Sequence, residues 1–279
     1  MKKIILVIVS VFILLSCSQD MKKLMNKLES EPFTDYVKTS LPADTTKLFV
    51  EDGITKSDTV SIYLQGGPIP VLDFTFHNDS VLNEFPRHSN YKRIYLHQAQ
   101  TINSTIVNSG DKFTFEMAKE EGRMSAEMLY RVVKYFKNKD KVVFIISHSF
   151  GSFIVPEFLS TKPNIADKIV IMAGRLDMND ELWKSFSKGG GGKFDKNAVN
   201  PIVKKSMIPF FVDRKIRQKI KVMSKIAAGL GYNRFTQRLK SKDLSNVLYV
   251  FGAKDVTVGK LSNEEIDFLK GAKAHVMEV

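Results

Sequence analysis

Six short apolar stretches recur along the chain: Val60-Ser61-Ile62-Tyr63-Leu64, Lys92-Arg93-Ile94-Tyr95-Leu96, Val142-Val143-Phe144-Ile145-Ile146, residues 168–174, Val247-Leu248-Tyr249-Val250-Phe251 and residues 274–279. They are rich in β-branched and aromatic residues and too short for stable helices, so they predict strands. Residues 114–137 instead repeat Met124, Met128, Val132 and Phe136 at four-residue spacing, with Glu120, Glu121, Arg131 and Lys134 between them. That period predicts a helix with one buried face. A shorter helix is expected over residues 264–269. Strands that are apolar along their length and alternate with helices predict a mostly parallel sheet covered on both faces, an α/β architecture.

From Arg175 to Asp243 the alternation breaks. Gly189-Gly190-Gly191-Gly192 reads as a flexible joint, and Val212, Ile216, Ile220, Met223, Ala227 and Leu230 then line one face of an amphipathic helix. Charge changes the picture here. Between Lys184 and Lys242 the chain holds 16 Lys or Arg against two acids, Asp195 and Asp213, while the whole chain carries a net +12. The positive charge is concentrated in this insertion, which suits an anionic membrane surface or an anionic substrate. Nucleic-acid binding is not expected, because no recognised binding motif accompanies the charge.

At the other end, Met1-Lys2-Lys3 precedes an apolar run from Ile4 to Leu15 and then Ser16-Cys17. A positive start followed by about a dozen apolar residues is a secretory signal rather than a spanning helix, which needs about 20. The segment resembles a bacterial lipoprotein signal, with Leu14 three residues before Cys17. That resemblance implies cleavage after Ser16, lipidation of Cys17 and retention at the bacterial cell envelope. Cys17 is the only cysteine, so it has no disulfide partner in the chain. The expected organisation is a signal peptide over 1–16, a lipidated tether with a marginal helix around 21–28 over 17–45, a core over 46–174, a helical cap over 175–243, and the rest of the core over 244–279.

Chemistry concentrates at three strand ends. Ser147-His148-Ser149-Phe150-Gly151 follows the third strand and leads into Ser152-Phe153-Ile154-Val155. A small-X-Ser-X-small turn from strand to helix lifts the central hydroxyl clear of both elements, making Ser149 the candidate nucleophile. Gln65-Gly66-Gly67-Pro68 follows the first strand, and two glycines there let backbone N–H groups approach a ligand. Gly252-Ala253-Lys254-Asp255 follows the fifth. No metal-ligand cluster, phosphate-binding Gly-rich loop or dinucleotide fingerprint occurs, so no cofactor is expected.

This order of motifs resembles the α/β-hydrolase fold, and the Gly-Gly-Pro loop is similar to the His-Gly-Gly-Pro-Gly loop of its prolyl-aminopeptidase-like branch, with Gln65 and Ile69 replacing the terminal His and Gly. The resemblance covers roughly residues 58–279. It implies a serine hydrolase acting on an ester, thioester or amide, with oxyanion donors at the N–H groups of Gly67 and Phe150 and a triad acid at Asp255. The family order of nucleophile, acid and base leaves His275 as the candidate base. The family places that histidine in the loop after its strand, whereas His275 falls at the strand's start, so a chain truncated before its true histidine is the rival expectation. Other imidazoles are His77, His88, His97 and His148. An aminopeptidase of the same fold and a non-catalytic binding protein on this scaffold are the alternative functions.

Overall fold

The computed structural model describes residues 18–53, 56–74, 91–206 and 212–279. Its strands are β1 (Phe49–Gly53), β2 (Thr59–Leu64), β3 (Lys92–Leu96), β4 (Val142–His148), β5 (Lys168–Met172), β6 (Gly191–Phe194), β7 (Pro201–Lys204), β8 (Val247–Phe251) and β9 (His275–Glu278). Seven of them form one sheet in the order β1-β3-β2-β4-β5-β8-β9. Only β1, which the apolar pattern did not disclose, runs antiparallel to its neighbour. The longer helices are α1 (Ser18–Ser30), α2 (Phe115–Lys137), α3 (Gly151–Thr161), α4 (Asp180–Ser187), α5 (Arg214–Gly231) and α6 (Asn263–Gly271).

Register decides where chemistry can gather. Leu64 of β2 lies opposite Ser147 of β4, His148 opposite Met172 of β5, and Met172 opposite Val250 of β8. The carboxyl ends of these strands therefore line up along one edge, where an open parallel sheet opens a crevice for ligands. The segments that emerge there are Gln65–Gly67, Ser149, Gly174 and Gly252–Asp255.

Helix α2 starts at the Thr114 cap, whose hydroxyl accepts the Met117 N–H. Met128, Val132 and Phe136 of its predicted stripe are buried. On another face it meets α5, and there the two backbones come close. A Cβ on Gly229 would stand 2.4 Å from the Ala118 carbonyl oxygen, and one on Gly122 would stand 2.8 Å from Leu230 Cγ. Helix α5 is thus seated on α2 at the flank of the sheet.

The N-terminal segment is packed, not a free tether. Leu24 and Leu28 of α1 are buried, Lys215 Nζ donates to the Glu29 carbonyl at 2.7 Å, and Lys219 Nζ donates to that of Glu31 at 2.7 Å. Lys219 is fully buried, and desolvation there, with Lys215 nearby, lowers its pKa to about 8. Further along, Tyr36 Oη and the Thr39 N–H both donate to Glu121 Oε1, at 2.7 and 3.0 Å. Glu121, which pattern alone placed among the solvent charges of α2, is buried because this segment covers it.

The tetraglycine stretch also differs from expectation. It is not a joint but the start of the β6–β7 hairpin, and Gly189 to Gly191 are buried. Side chains have no room there, since Cβ atoms on Gly190 and Gly192 would come within 2.6 Å of Ser185 Oγ and 2.3 Å of Leu182 Cδ2.

Candidate active site

Ser149 sits between β4 and α3 with φ +52°, a left-handed backbone in a non-glycine residue. Such a conformation costs about 1–2 kcal/mol and persists only where the surroundings impose it. Several contacts do so. The Ser149 N–H donates to the Met172 carbonyl at 3.0 Å, and Ser152 Oγ donates to the same oxygen at 2.7 Å. A Cβ on Gly151 would stand 2.6 Å from the Leu64 carbonyl oxygen, and one on Gly174 would stand 2.3 Å from Ser152 Cβ. The small residues around the turn are thus required by close approach of β2 and β5.

Above the turn lies the Gln65–Gly67 loop, held by Gln65, which is buried. Its Nε2 donates to the Val71 carbonyl at 2.8 Å, its Oε1 accepts the Asp73 N–H at 2.6 Å, and its backbone carbonyl accepts Gln98 Nε2 and the Gly151 N–H. Gln65, noted from the sequence only as a departure from a family pattern, and Gln98 thus form the loop's internal brace. Gly67 adopts φ +115°, and a Cβ there would stand 2.5 Å from the Ile69 nitrogen. Phe150 caps the N-terminus of α3. Among the described residues no protein acceptor takes the N–H of Gly67 or Phe150. Free donors at a helix N-terminus beside a glycine loop suit a developing oxyanion.

The imidazoles are distributed differently from the sequence expectation. His275 is exposed at the start of β9 and pairs with Leu248. Met277, not His275, is level with Val250, Met172 and His148. His275 is therefore three strands, roughly 14 Å, across the sheet from Ser149 and roughly 10 Å down it. The structure does not bring the two together, because β9 enters the sheet with His275 at the end remote from the crevice. His97 is occupied by Thr101, whose Oγ1 lies 2.9 Å from its Nδ1. His77 and His88 lie outside the described residues, as does Cys17.

His148 is the imidazole next to Ser149. A Cβ on Gly66 would stand 3.1 Å from His148 Nδ1 and 3.3 Å from Ser149 Cβ, so both side chains share the recess under this loop. Burial holds the His148 pKa below the usual 6.5, opposed by the negative charges of Asp255 and Asp73. Asp255 is fixed by its own turn: Oδ1 accepts the N–H groups of Thr257 and Val258 at 2.8 and 3.0 Å. Sequence order picked out Asp255 and Ser149; the field of Asp255 on His148 follows only from the fold.

Glu265 of α6 fixes the third side of the crevice. Its Oε1 accepts the N–H groups of Leu176 and Asp177 at 2.9 and 3.0 Å, and its Oε2 accepts Arg175 Nη2 at 2.6 Å and the Ser262 N–H at 2.9 Å. The carboxylate is 2 % exposed, so its removal leaves a largely buried Arg175 and three N–H groups without this partner. Glu265→Ala is expected to destabilise the fold by about 3 kcal/mol or more, measured by urea unfolding. A loss below about 1 kcal/mol would show that water replaces the carboxylate.

No protein-family model matches the chain, and no curated protein matches it. Solved structures do. MGS-M2, an alpha/beta hydrolase enzyme from a Medee basin deep-sea metagenome library, superposes with a TM-score of 0.50 at 13% identity, over 83% of this chain and 84% of that one. The chain has the α/β-hydrolase fold. Rv0554 from Mycobacterium tuberculosis is similar to the same extent, with a TM-score of 0.51 at 12% identity, over 83% of this chain and 84% of that one.

Proposed function

We propose that this protein is a serine hydrolase that cleaves an ester, thioester or amide through an acyl-enzyme on Ser149. The observation that carries the reading is the left-handed φ of Ser149 at a strand-to-helix turn, with unpaired N–H groups at Phe150 and Gly67. Ser149 Oγ bonds to the substrate's carbonyl carbon while its proton passes to an imidazole, and the oxyanion is held by the two N–H groups. Collapse expels the alcohol, thiol or amine, which takes up that proton. Water then attacks the acyl-enzyme and regenerates Ser149. We assign the imidazole to His148, the one that shares the recess with Ser149, and its electrostatic partner to Asp255. A fluorophosphonate probe tests the nucleophile: it is expected to modify Ser149 in the wild-type chain and nothing in Ser149→Ala. Labelling that persists in the variant overturns the assignment. An ester or thioester is favoured over a peptide with a free amino terminus, because Glu157 and Glu265, the buried acids on α3 and α6, are already paired with Arg238 and Arg175.

We infer in addition that the chain is exported and anchored through a lipidated Cys17. The charged start, short apolar run and lone cysteine support this, and among the described residues no helix is long and apolar enough to cross a membrane. Acyl chains contribute about 0.8 kcal/mol per buried methylene. Cys17→Ala is therefore expected to lose the acyl modification in a mass spectrum of the protein from membranes. An unchanged mass relative to the unmodified sequence in the wild type would refute lipidation.

A further inference from the structure

We propose that the β6–β7 hairpin of the cap is a docking surface for an anionic phospholipid bilayer, and that it holds the mouth of the crevice against the lipid. Val199, Ile202 and Val203 are 53, 42 and 44 % exposed. Val199 stands in the hairpin's loop, and Ile202 and Val203, consecutive on β7, turn to its two opposite faces, so the ribbon exposes aliphatic side chains at its tip and on both sides. Lys193, Lys196, Lys204 and Lys205 belong to the same ribbon. Among the described residues none of the four is ion-paired, a state they share with other exposed lysines such as Lys168 and Lys254. The one acid of the ribbon is turned in on its own loop: Asp195 Oδ1 lies 3.1 to 3.3 Å from the N–H groups of Asn197, Val199 and Asn200, and Oδ2 accepts Asn200 Nδ2. Aliphatic side chains ringed by unpaired cations complement the boundary of an anionic bilayer, where the chains enter the headgroup region and the ammonium groups meet lipid phosphate. A soluble acidic protein would match the lysines but leave the aliphatic tip unsatisfied.

The ribbon is joined directly to the turn that carries Asp255. The Phe194 N–H donates to the Val256 carbonyl at 2.7 Å, and the Lys260 N–H donates to that of Ala198 at 2.9 Å. Phe194 presses on Gly259, where an added Cβ would stand 2.7 Å from the ring. A bilayer that binds the ribbon therefore lies beside the crevice, and the substrate class that fits is an acyl ester resident in the membrane. This last step rests on the hydrolase reading; the docking itself does not.

The test places a single reporter on the surface. In the full chain with Cys17→Ser, an environment-sensitive fluorophore is attached at Val199→Cys, and in a second chain at Ser245→Cys, an exposed position before β8 at the other edge of the sheet. Both are mixed with vesicles of phosphatidylcholine alone or with phosphatidylglycerol. The Val199 probe is expected to shift to the blue and become protected from an aqueous quencher only with the anionic vesicles, and the Ser245 probe to stay accessible in both. Lys196→Gln with Lys205→Gln should lower the ratio of docked to undocked protein roughly thirty-fold, about fivefold for each charge. The proposal is overturned if the Val199 probe remains accessible on anionic vesicles, is equally protected on neutral ones, or responds equally to inorganic phosphate. Repeating the measurement with Ser149→Ala separates the two readings, since docking without hydrolysis in the wild type would leave the surface standing and remove the enzyme.

Discussion

Ser149→Ala is expected to lower the turnover of a p-nitrophenyl ester by roughly 10³- to 10⁶-fold, with the residue left over supplied by the Phe150 and Gly67 N–H groups. The substitution removes the nucleophilic oxygen but retains Cβ. The backbone at this position stays at its left-handed φ of +52°, so unfolding by urea should be nearly unchanged. Ser149→Gly is a sharper companion. It abolishes turnover to the same extent, and glycine relieves the cost of the left-handed conformation, so it should gain about 1 kcal/mol of stability where Ser149→Ala gains none. Inactivity paired with added stability marks a residue held under strain for chemistry. Ser149→Ala with full activity would remove this serine from the mechanism.

The second large effect is expected at His148. His148→Asn should reduce kcat by roughly 10²- to 10⁴-fold, the range for loss of a general base, while the exposed His275→Gln should leave it unchanged. A base acts in its neutral form. Since burial lowers the His148 pKa, the wild-type rate should hold as pH falls through 6.5, the ordinary imidazole value, and decline only below it. His148→Asn should lose that acidic limb, a readout that damage to packing alone would not move. If His148→Asn keeps its rate and His275→Gln does not, β9 must reposition during turnover and the assignment to His148 fails. If both keep their rates, neither of the two is the proton acceptor, and His77, His88 and His97 are the next to be substituted.

The strand-to-helix turn at Ser149 and the turn at Asp255 were legible because each is a local object. A buried strand is followed at once by a small residue, a serine and a glycine at alternate positions, although the contacts that hold Ser149 in its strained backbone come from the distant β2 and β5. The imidazole was not legible in that way. Chain order favoured His275, but proximity depends on the register of β9 against β8, and the apolar pattern of a strand does not say at which end it meets the crevice. Gln65 and Gln98 were missed as a brace because their partners, Val71, Asp73 and each other's loops, come from three segments of the chain.

Charged residues show the same division. Glu121, Glu157, Glu265 and Lys219 carry nothing in their local sequence that separates them from solvated neighbours, yet all four are buried. Each became buried only when a distant segment covered it and supplied donors or acceptors. For Glu157 these are Arg238 and Asn233, for Glu265 Arg175 and the 176–177 backbone, and for Lys219 the Glu31 carbonyl.

Taken by itself, the sequence determined the strands that build the core, the buried stripe of α2, the α/β class, the position of the elbow and the concentration of positive charge in the insertion. These follow from period, composition and turn chemistry, which act over a few residues. Only the tertiary structure decided that the tetraglycine run leads into a strand at Gly191, that the N-terminal segment is packed on α5, that His148 and not His275 lies beside Ser149, and that the unpaired lysines share a ribbon with exposed aliphatic residues. Those outcomes depend on strand register and on which polar groups lose water together, and both are set by contacts between residues tens of positions apart.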